Sequence, residues 1–391
     1  MARIKISRPL VHQLPLQYLL IIPIILAISA ILVLTLHGDV NTPLLYSQCS
    51  AHSRLPGISH IPILGPPACF LVSTFMFATA SLRGVAQISV FLSFLAALQT
   101  VCRVESARAC NQRSWNIRVP TPSWLVFNIV GGTLVWDLWI VPAFLKRAKD
   151  LRALKTKGEG VGGGDDGLGD IEQGGRRDEL FDDNDTEQRV ILERSFATQT
   201  EIYAIPVAVA VGLVLPSVLM LVFKDAISVI VWLFFPLWVA VVNRAVKFIA
   251  AKFLKDVDEP LYVDSHPPSV TLIYALPFIA SLLAHALFIW NFFCKNDSRQ
   301  MTRTALKFIN IDFSFVAATV LYWVFVEAGV VPAVLMVVFS VFVGPGAALC
   351  LTWLVREKAI YAFAVADEDE ESDEESDGDT STVHEDTPLL N

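Results

Sequence analysis

The chain contains repeated apolar runs, each about as long as a helix that crosses a membrane. Roughly 20 mainly apolar residues in helical form span a bilayer core. Nine stretches approach that length, near residues 16–36, 67–82, 85–102, 123–145, 202–223, 227–249, 268–291, 308–328 and 330–354. Since 54% of the residues are hydrophobic and only 17% are charged, too few polar side chains exist to cover a water-soluble surface. The sequence predicts an all-α, polytopic transmembrane helix bundle of eight or nine spans.

Two of these regions are ambiguous, because each fits either two crossings or one crossing plus a re-entrant segment. The Arg83-Gly84 pair suits a tight turn within residues 67–102, and Gly329 with Pro332 suits one within residues 308–354. These alternatives leave the predicted count at eight or nine crossings.

Charge gives a partial guide to sidedness. Arg3, Lys5 and Arg8 precede the first run, so the positive-inside rule predicts a cytosolic N-terminus. Counting crossings from there places residues 146–157, with six Lys or Arg, on the cytosolic side as well. The same count places the four Arg of residues 103–121 on the lumenal side, against the rule. Charge alone therefore leaves the sidedness open.

A Gly-rich and acidic stretch at residues 158–190 divides the chain, because it carries too little apolar surface to fold. The predicted organisation is an N-terminal membrane half, a disordered linker that begins basic and becomes Gly-rich and acidic, a C-terminal membrane half and a disordered acidic tail, at residues 1–145, 146–200, 201–356 and 357–391.

The tail accounts for the negative charge of the chain. From residue 367 onward there are 12 acidic residues and no Lys or Arg, whereas the whole chain has a net charge of −8. The rest of the chain is therefore slightly basic, which suits contact with anionic lipid, and nothing indicates nucleic-acid binding. Glu385 followed by Leu389 and Leu390 matches the acidic dileucine pattern read by sorting adaptors. A sorting adaptor is an expected partner if the tail is cytosolic.

The six cysteines show no metal-ligand spacing, so we expect no metal site. In a nine-span arrangement Cys49, Cys110 and Cys294 fall in lumenal loops, where one disulfide among them is an option. Glycosylation sequons at Asn184 and Asn296 should lie on opposite sides, since three predicted crossings separate them.

One face of the 268–291 span carries polar groups. Tyr274, Phe278, Ser281 and His285 recur at helical spacing. Such a face should look inward, to a cavity or to another helix. Two interpretations remain open for His285: a packing residue hydrogen-bonded to a neighbour, or a proton-handling group.

A second polar face runs along the 308–328 span, where Asp312, Phe315, Thr319 and Tyr322 share one side. A charge near the bilayer centre costs at least about 2.5–3.5 kcal/mol, so Asp312 needs a reason to be there. It is either a helix-terminal cap or a functional acid.

A second candidate acid is Asp137, which lies between Trp136 and Trp139 and close to a Gly-Gly pair. Apolar surroundings keep a carboxyl neutral and protonated, the state that a general acid requires. A structural hydrogen bond to a neighbouring helix is the alternative. Trp238 belongs to another aromatic-rich span, whose ring faces could hold a cation in a dry cavity.

Five segments of the second half follow one another in a characteristic order: AIPVAVAVGLVLPSVLM (204–220), WLFFPLWVAVV (232–242), LIYALPFIASLLAHALF (272–288), FINIDFSF (308–315) and GPGAALCLTW (344–353). In this order and spacing the chain resembles a family of fungal polytopic membrane proteins from meroterpenoid biosynthetic clusters, whose characterised members are terpene cyclases of the ascofuranone-pathway type. That pattern has a His where His285 stands and an acidic residue where Asp312 stands. It often has Gln-Trp where this chain has Asn310 and Ile311.

The resemblance implies a membrane-bound terpene cyclase in fungal secondary metabolism. Its substrate would be a lipophilic prenylated molecule, activated as a terminal epoxide, and no cofactor is expected. Asp312 would be the acid and His285 its partner or the base, with Asp137 as the second-choice acid. Side chains expected on the cavity wall are Tyr274, Trp238, Tyr322 and Ser281.

The competing hypothesis is a polytopic transporter or sorted endomembrane protein of unknown cargo. A receptor-like seven-helix protein is disfavoured by the span count. In either case we expect a multi-pass protein of endomembranes, with the endoplasmic reticulum as the first choice and vacuolar or endosomal membranes as the alternative.

Overall fold

The computed structural model describes residues 13–37, 65–159, 196, 198–253, 267–293 and 300–357. Within these ranges the regular elements are helices, and no β-strand occurs. Together with the long apolar helices, this confirms the predicted all-α membrane fold. Most of the predicted linker and nearly all of the acidic tail lie outside the described residues.

The helices are α1 (Leu16–His37), α2 (Gly65–Ala78), α3 (Leu82–Ala107), α4 (Trp115–Arg118), α5 (Thr121–Val130), α6 (Gly132–Val135), α7 (Val141–Glu159), α8 (Glu201–Val209), α9 (Leu215–Phe223), α10 (Ala226–Leu233), α11 (Phe235–Phe253), α12 (Pro267–Phe292), α13 (Gln300–Ala328) and α14 (Val330–Val343). Two π turns, Trp136–Ile140 and Ala210–Val214, join α6 to α7 and α8 to α9. A 3-10 turn covers Ala109–Asn111, and a last helix, α15, covers the described residues 345–357.

Within the described ranges, five helices are long and apolar enough to cross a bilayer, and the α10–α11 pair makes six if its 59° bend lies within one span. The sequence predicted more because the predicted spans at 67–82, 123–145 and 330–354 contain only shorter apolar helices. An apolar run of about 20 residues has the same composition whether its helix continues or folds back.

Residues 121–159, which we call the first hairpin, fold back on themselves where a single crossing was predicted. Helix α5 leads inward to Gly131, whose φ of 130° breaks the helix. The chain then returns through α6, the π turn and α7. A φ in this region is readily adopted by glycine alone, which explains why the turn falls at the Gly131-Gly132 pair.

Both limbs of the first hairpin reach the same end of the bundle. The Thr121 hydroxyl lies 3.4 Å from a guanidinium nitrogen of Arg103, near the end of α3. Arg147, on the returning limb, donates to the carbonyl oxygen of Cys110 just beyond the same helix end. This contact corrects the expectation that the basic segments around Arg103 and Arg147 lie on opposite sides.

Residues 330–357, the second hairpin, repeat this plan. Helix α14 leads to Gly344, whose φ is 91°, and α15 returns. The limbs meet again at their base, where Arg356 lies 2.8 Å from Glu327 at the end of α13. Of the two predictions for residues 308–354, the structure therefore shows one long helix followed by a re-entrant hairpin.

A network of charged side chains joins these elements at one end of the bundle, which we call the charged end. Arg108 lies 3.1 Å from Glu105 and 2.6 Å from Glu357, and Arg356 lies 3.0 Å from Glu105. With Glu327, three carboxylates surround two guanidinium groups. Because the network is almost entirely buried, each charge depends on its partners for the solvation that water would otherwise provide.

The opposite end contains the tight connection between α9 and α10. Lys224 adopts a left-handed conformation with φ 55°, and Asp225 caps α10 by accepting a 2.8 Å hydrogen bond from the Ser228 backbone. Hydrogen bonds from Ser228 lower the pKa of the exposed Asp225 carboxyl. This residue is therefore an ordinary ionised helix cap.

Cys69 is disulfide-bonded, whereas Cys110 carries a thiol. The suggestion that Cys110 takes part in a disulfide is therefore wrong, because its segment packs at the charged end beside Arg147. The other two cysteines of that suggestion, Cys49 and Cys294, lie outside the described residues.

The first hairpin can be tested by labelling introduced cysteines in sealed microsomes with a membrane-impermeant maleimide. Arg113→Cys, at an exposed position before the hairpin, and Asp150→Cys, at an exposed position on its returning limb, should label from the same face. Lys224→Cys, in the turn at the opposite end, should label from the other face. The parent chain gives the background from native cysteines. Labelling of Arg113→Cys and Asp150→Cys from opposite faces would contradict the hairpin.

The charged network can be tested by its contribution to stability. Arg356→Met leaves Glu327 without its guanidinium partner, and breaking a buried pair costs about 3–5 kcal/mol. We expect a clear fall in the melting temperature of the purified protein in detergent. Arg118→Met, at an exposed arginine, is the matched control. Adding Glu327→Gln to Arg356→Met should recover part of the lost stability, because it removes the unpaired charge. Equal melting temperatures for Arg356→Met and Arg118→Met would refute the assignment.

Candidate functional site

A cavity of about 720 Å³ lies against the tip of the first hairpin. Its walls come from the end of α1, from α2, α3, α10 and α13, and from the hairpin tip. The residues that line it are Leu34, Gly65, Pro66, Pro67, Cys69, Phe70, Leu71, Thr74, Phe75, Phe91, Phe127, Asn128, Ile129, Val130, Gly131, Gly132, Thr133, Leu134, Trp232, Phe308, Ile309 and Asp312. This volume falls within the usual range for small-molecule sites.

The lining is apolar and aromatic apart from a few polar groups. Six aromatic rings contribute to it, those of Phe70, Phe75, Phe91, Phe127, Trp232 and Phe308. Among the described residues of the wall, the carboxyl of Asp312 is the one acidic group, and no Lys, Arg or His accompanies it. The cavity therefore suits a neutral or positively charged lipophilic molecule.

Asp312 is held by the start of the returning limb. Its Oδ1 accepts a 3.0 Å hydrogen bond from the Thr133 backbone, and its carboxyl also lies beside the Gly132 backbone. The Thr133 hydroxyl donates at 2.9 Å to the Asp312 carbonyl oxygen. The N–H groups at this helix start, which have no intrahelical partner, are therefore donors to the Asp312 carboxyl and oppose the cost of burying it as a charge.

Gly132 makes this close approach feasible. A Cβ added there would lie 2.8 Å from Asp312 Oδ2 and 2.8 Å from the Phe127 ring. Such distances are shorter than van der Waals contact, so only glycine fits without displacement. The Gly131-Gly132 pair thus supplies both the turn and the space for the carboxyl.

Two further side chains of the wall have fixed orientations. Asn128 Nδ2 donates at 2.7 Å to the carbonyl oxygen of Leu233, which the bend between α10 and α11 leaves available. Trp232 Nε1 donates at 3.1 Å to the Ser217 hydroxyl, and its ring centroid lies 4.8 Å from that of Phe75. The Asn128 amide oxygen therefore remains as an acceptor, and the indole cannot rotate freely.

Asp137 lies near this site but outside the cavity lining. It is fully buried in the π turn of the first hairpin, where its Oδ1 accepts a 2.6 Å hydrogen bond from Thr319. Its other oxygen has no hydrogen-bond partner among the described residues. Thr319 is seven residues beyond Asp312 on α13, about 10 Å along the axis. Asp312 and Asp137 therefore both lie where the first hairpin packs against α13, but at different positions along the α13 axis.

The polar face of α12 packs elsewhere. His285 Nε2 lies 3.0 Å from the carbonyl oxygen of Val341, and the His285 side chain packs directly on Gly344 at the tip of the second hairpin. Ser281 lies against Gly344 and Gly346 at the same tip. Neither side chain contributes to the lining of the cavity that contains Asp312.

The remaining predicted wall residues also lie away from the cavity. Tyr274 is buried near Glu357 and Arg108 of the charged network. Tyr322 donates at 2.6 Å to the Leu19 carbonyl oxygen. Trp238 is 42% exposed and donates at 2.9 Å to the carbonyl oxygen of Val231. Of all the predicted site residues, Asp312 alone lines the cavity.

Sequence reasoning missed the face of α2 that carries Phe70, Thr74 and Phe75, because this short apolar helix shows no ionisable residue. It also missed Thr133 as the partner of Asp312. The Gly131-Gly132 pair was the available signal for that contact, since adjacent glycines within a span mark a close approach or a break.

Glycine at position 132 can be tested directly. Gly132→Ala must displace the Asp312 carboxyl or the Phe127 ring, and overpacking of this kind costs about 1–3 kcal/mol. We expect a lower melting temperature in detergent. Val130→Ala, in the same lining but with a largely exposed side chain, should melt close to the parent chain. A stable Gly132→Ala protein would show that the hairpin tip is not packed as described.

Comparisons with known proteins give a partial match. The profile of the CtvD domain, a domain of fungal biosynthetic-cluster proteins, matches residues 182–292. The match includes α8 to α12 and stops before Asp312. No curated protein and no solved structure matches the chain. The chain is therefore similar, over less than a third of its length, to proteins of fungal biosynthetic clusters.

Proposed function

We propose that this protein is a membrane-bound terpene cyclase that acts on a neutral, prenylated lipophilic substrate carrying an epoxide. The observation that carries this proposal is a single carboxyl in an otherwise apolar and aromatic cavity, held at a helix start. The similarity of residues 182–292 to a domain of fungal biosynthetic-cluster proteins supports a role in such a biosynthetic pathway.

In the proposed reaction, the protonated Asp312 carboxyl donates its proton to the epoxide oxygen. The C–O bond breaks as the π electrons of a nearby alkene form a new C–C bond, and positive charge moves along the folded chain. Loss of a proton from a neighbouring carbon to the Asp312 carboxylate then regenerates the acid. The overall reaction is an isomerisation, and it requires no other reactant.

The cavity offers stabilisation for both charges that develop. The backbone N–H groups of Gly132 and Thr133 lie beside the carboxylate that remains after proton transfer. Such fixed donors lower the energy of developing negative charge. The faces of Phe75 and Trp232 attract positive charge through their quadrupoles and do not react with it. His285, predicted as the partner of the acid or as the base, does not line the cavity, so the proposal assigns the role of base to the Asp312 carboxylate.

The membrane arrangement is part of the proposal. The charged end carries Arg103, Arg108, Arg147 and Arg356, so the positive-inside rule places it in the cytosol of an endomembrane protein. The cavity then lies toward the lumenal half. Helix α15 ends at the charged end, so the acidic tail would follow on the cytosolic side, where a sorting adaptor could read Leu389 and Leu390.

The two re-entrant hairpins favour a second candidate function, a transporter. Broken helices that face a cavity at membrane depth recur in transporters, where their ends contact the substrate. Here the broken end at Gly131 and Gly132 faces the cavity. Transport predicts uptake of a solute into vesicles that contain the purified protein, and cyclisation predicts a new product with the mass of its substrate.

Conversion of a prenylated aromatic epoxide in microsomes tests the cyclase. Asp312→Asn keeps an oxygen acceptor for the Thr133 backbone but removes the acid, and loss of a general acid typically costs about 10²–10⁴-fold in rate. We expect that loss with a near-normal melting temperature. Asp150→Asn, an exposed carboxyl outside the cavity, is the control. Undiminished conversion by the Asp312→Asn variant would exclude Asp312 as the acid.

A further inference from the structure

We propose that the same cavity binds long-chain aliphatic ammonium ions, with the ammonium group paired to Asp312. This inference shares the Asp312 carboxyl with the proposed reaction but does not require that reaction. It names a second class of ligand, positively charged and with a saturated chain, that could not be cyclised.

The charge of the wall is the first argument. Asp312 is the one ionisable side chain among the described residues that line the cavity. The helix start at Gly132 and Thr133 places only about half of an elementary positive charge beside it. An ionised Asp312 therefore keeps about half of its negative charge for a ligand, and an ammonium ion can pair with it through a charge-assisted hydrogen bond.

The second argument is that the polar groups are acceptors. The Thr133 hydroxyl donates to the Asp312 carbonyl oxygen, and the Asn128 amide nitrogen donates to Leu233. The Asn128 amide oxygen and the Asp312 carboxyl are thus left to accept hydrogen bonds. An ammonium ion offers only donors, so it matches this set better than a carboxylate or phosphate does.

The aromatic rings supply the third argument. Phe75 and Trp232 pack against each other with centroids 4.8 Å apart, and the Trp232 edge is tied to Ser217. Their orientation is fixed, so their faces stabilise a nearby cation without a cost in side-chain entropy. The rest of the wall is apolar, which suits an aliphatic chain in a cavity of about 720 Å³.

A tertiary amine can reach this site in its neutral form through the bilayer. If Asp312 is protonated when the amine arrives, its O–H bond breaks as an N–H bond forms, and an ion pair results. If Asp312 is already ionised, the protonated amine binds it directly. Both routes end in the same complex, in which the helix start stabilises the carboxylate.

Binding can be measured by calorimetry with the full chain in nanodiscs of neutral lipid. The probes are N,N-dimethyldodecylamine and dodecanol, which share a chain and differ in charge. A charge-assisted hydrogen bond predicts that the parent protein binds the amine about tenfold or more tightly than the alcohol. Empty nanodiscs give the partition of each probe into lipid.

Variants assign the preference to the cavity. Asp312→Asn should reduce the preference for the amine to less than about twofold. Asp225→Asn, which removes an exposed carboxyl at a helix cap, should leave the preference unchanged. Trp232→Leu should weaken amine binding more than alcohol binding, and it leaves Asp312 in place if the Asp312→Asn variant proves unstable.

Equal affinities for the amine and the alcohol in the parent protein would overturn the inference, as would a preference that survives Asp312→Asn. The result of the binding test can be distinguished from the result of the epoxide-conversion test. Amine binding without epoxide conversion would leave this inference intact and remove the cyclase. Conversion that depends on Asp312, without any preference for the amine, would support the cyclase and overturn this inference.

Discussion

The contact between the Asp312 carboxyl and the start of the returning limb at Gly132 and Thr133 determines the rest of the site. A helix that begins inside an apolar environment exposes N–H groups with no intrahelical partner, and lipid cannot solvate them. The Thr133 backbone finds its acceptor in Asp312, 3.0 Å away. In return, the Asp312 carboxyl gains backbone hydrogen-bond donors that lower the cost of its ionised form. Each group therefore satisfies the hydrogen-bonding requirement of the other at this depth.

Helix α13 is the element against which both hairpins pack. Its Trp323 lies between a tryptophan from each returning limb, with ring centroids 6.1 Å from Trp136 and 4.6 Å from Trp353. The same helix contacts the tip of the first hairpin through Asp312 and the base of the second through Glu327. One long helix thus ties the cavity to the charged network.

The sequence was sufficient to predict the class of fold, and it singled out Asp312, which lines the cavity. The apolar runs predict membrane helices because few other structures satisfy the backbone in lipid, and a carboxyl at position 312 stands out because of its cost. The first hairpin was not predicted from the sequence, because composition does not distinguish a helix that continues from one that turns at Gly131. The His285 face was expected to look toward a cavity or another helix, but helical periodicity does not specify the neighbour. That neighbour is the tip of the second hairpin, at Gly344.

The environments of the two buried carboxyls explain why Asp312, and not Asp137, suits proton donation. Release of a proton from Asp137 would leave a charge with one hydroxyl donor, from Thr319, and an oxygen without any partner among the described residues. Release from Asp312 leaves a charge at a helix start, already beside backbone donors and in contact with the cavity. Donors that are in place before the charge appears require no reorganisation during the reaction. Asp312 therefore meets the requirements of the proposed proton donor, whereas the contact that the structure gives Asp137 is the hydrogen bond that joins the returning limb to α13.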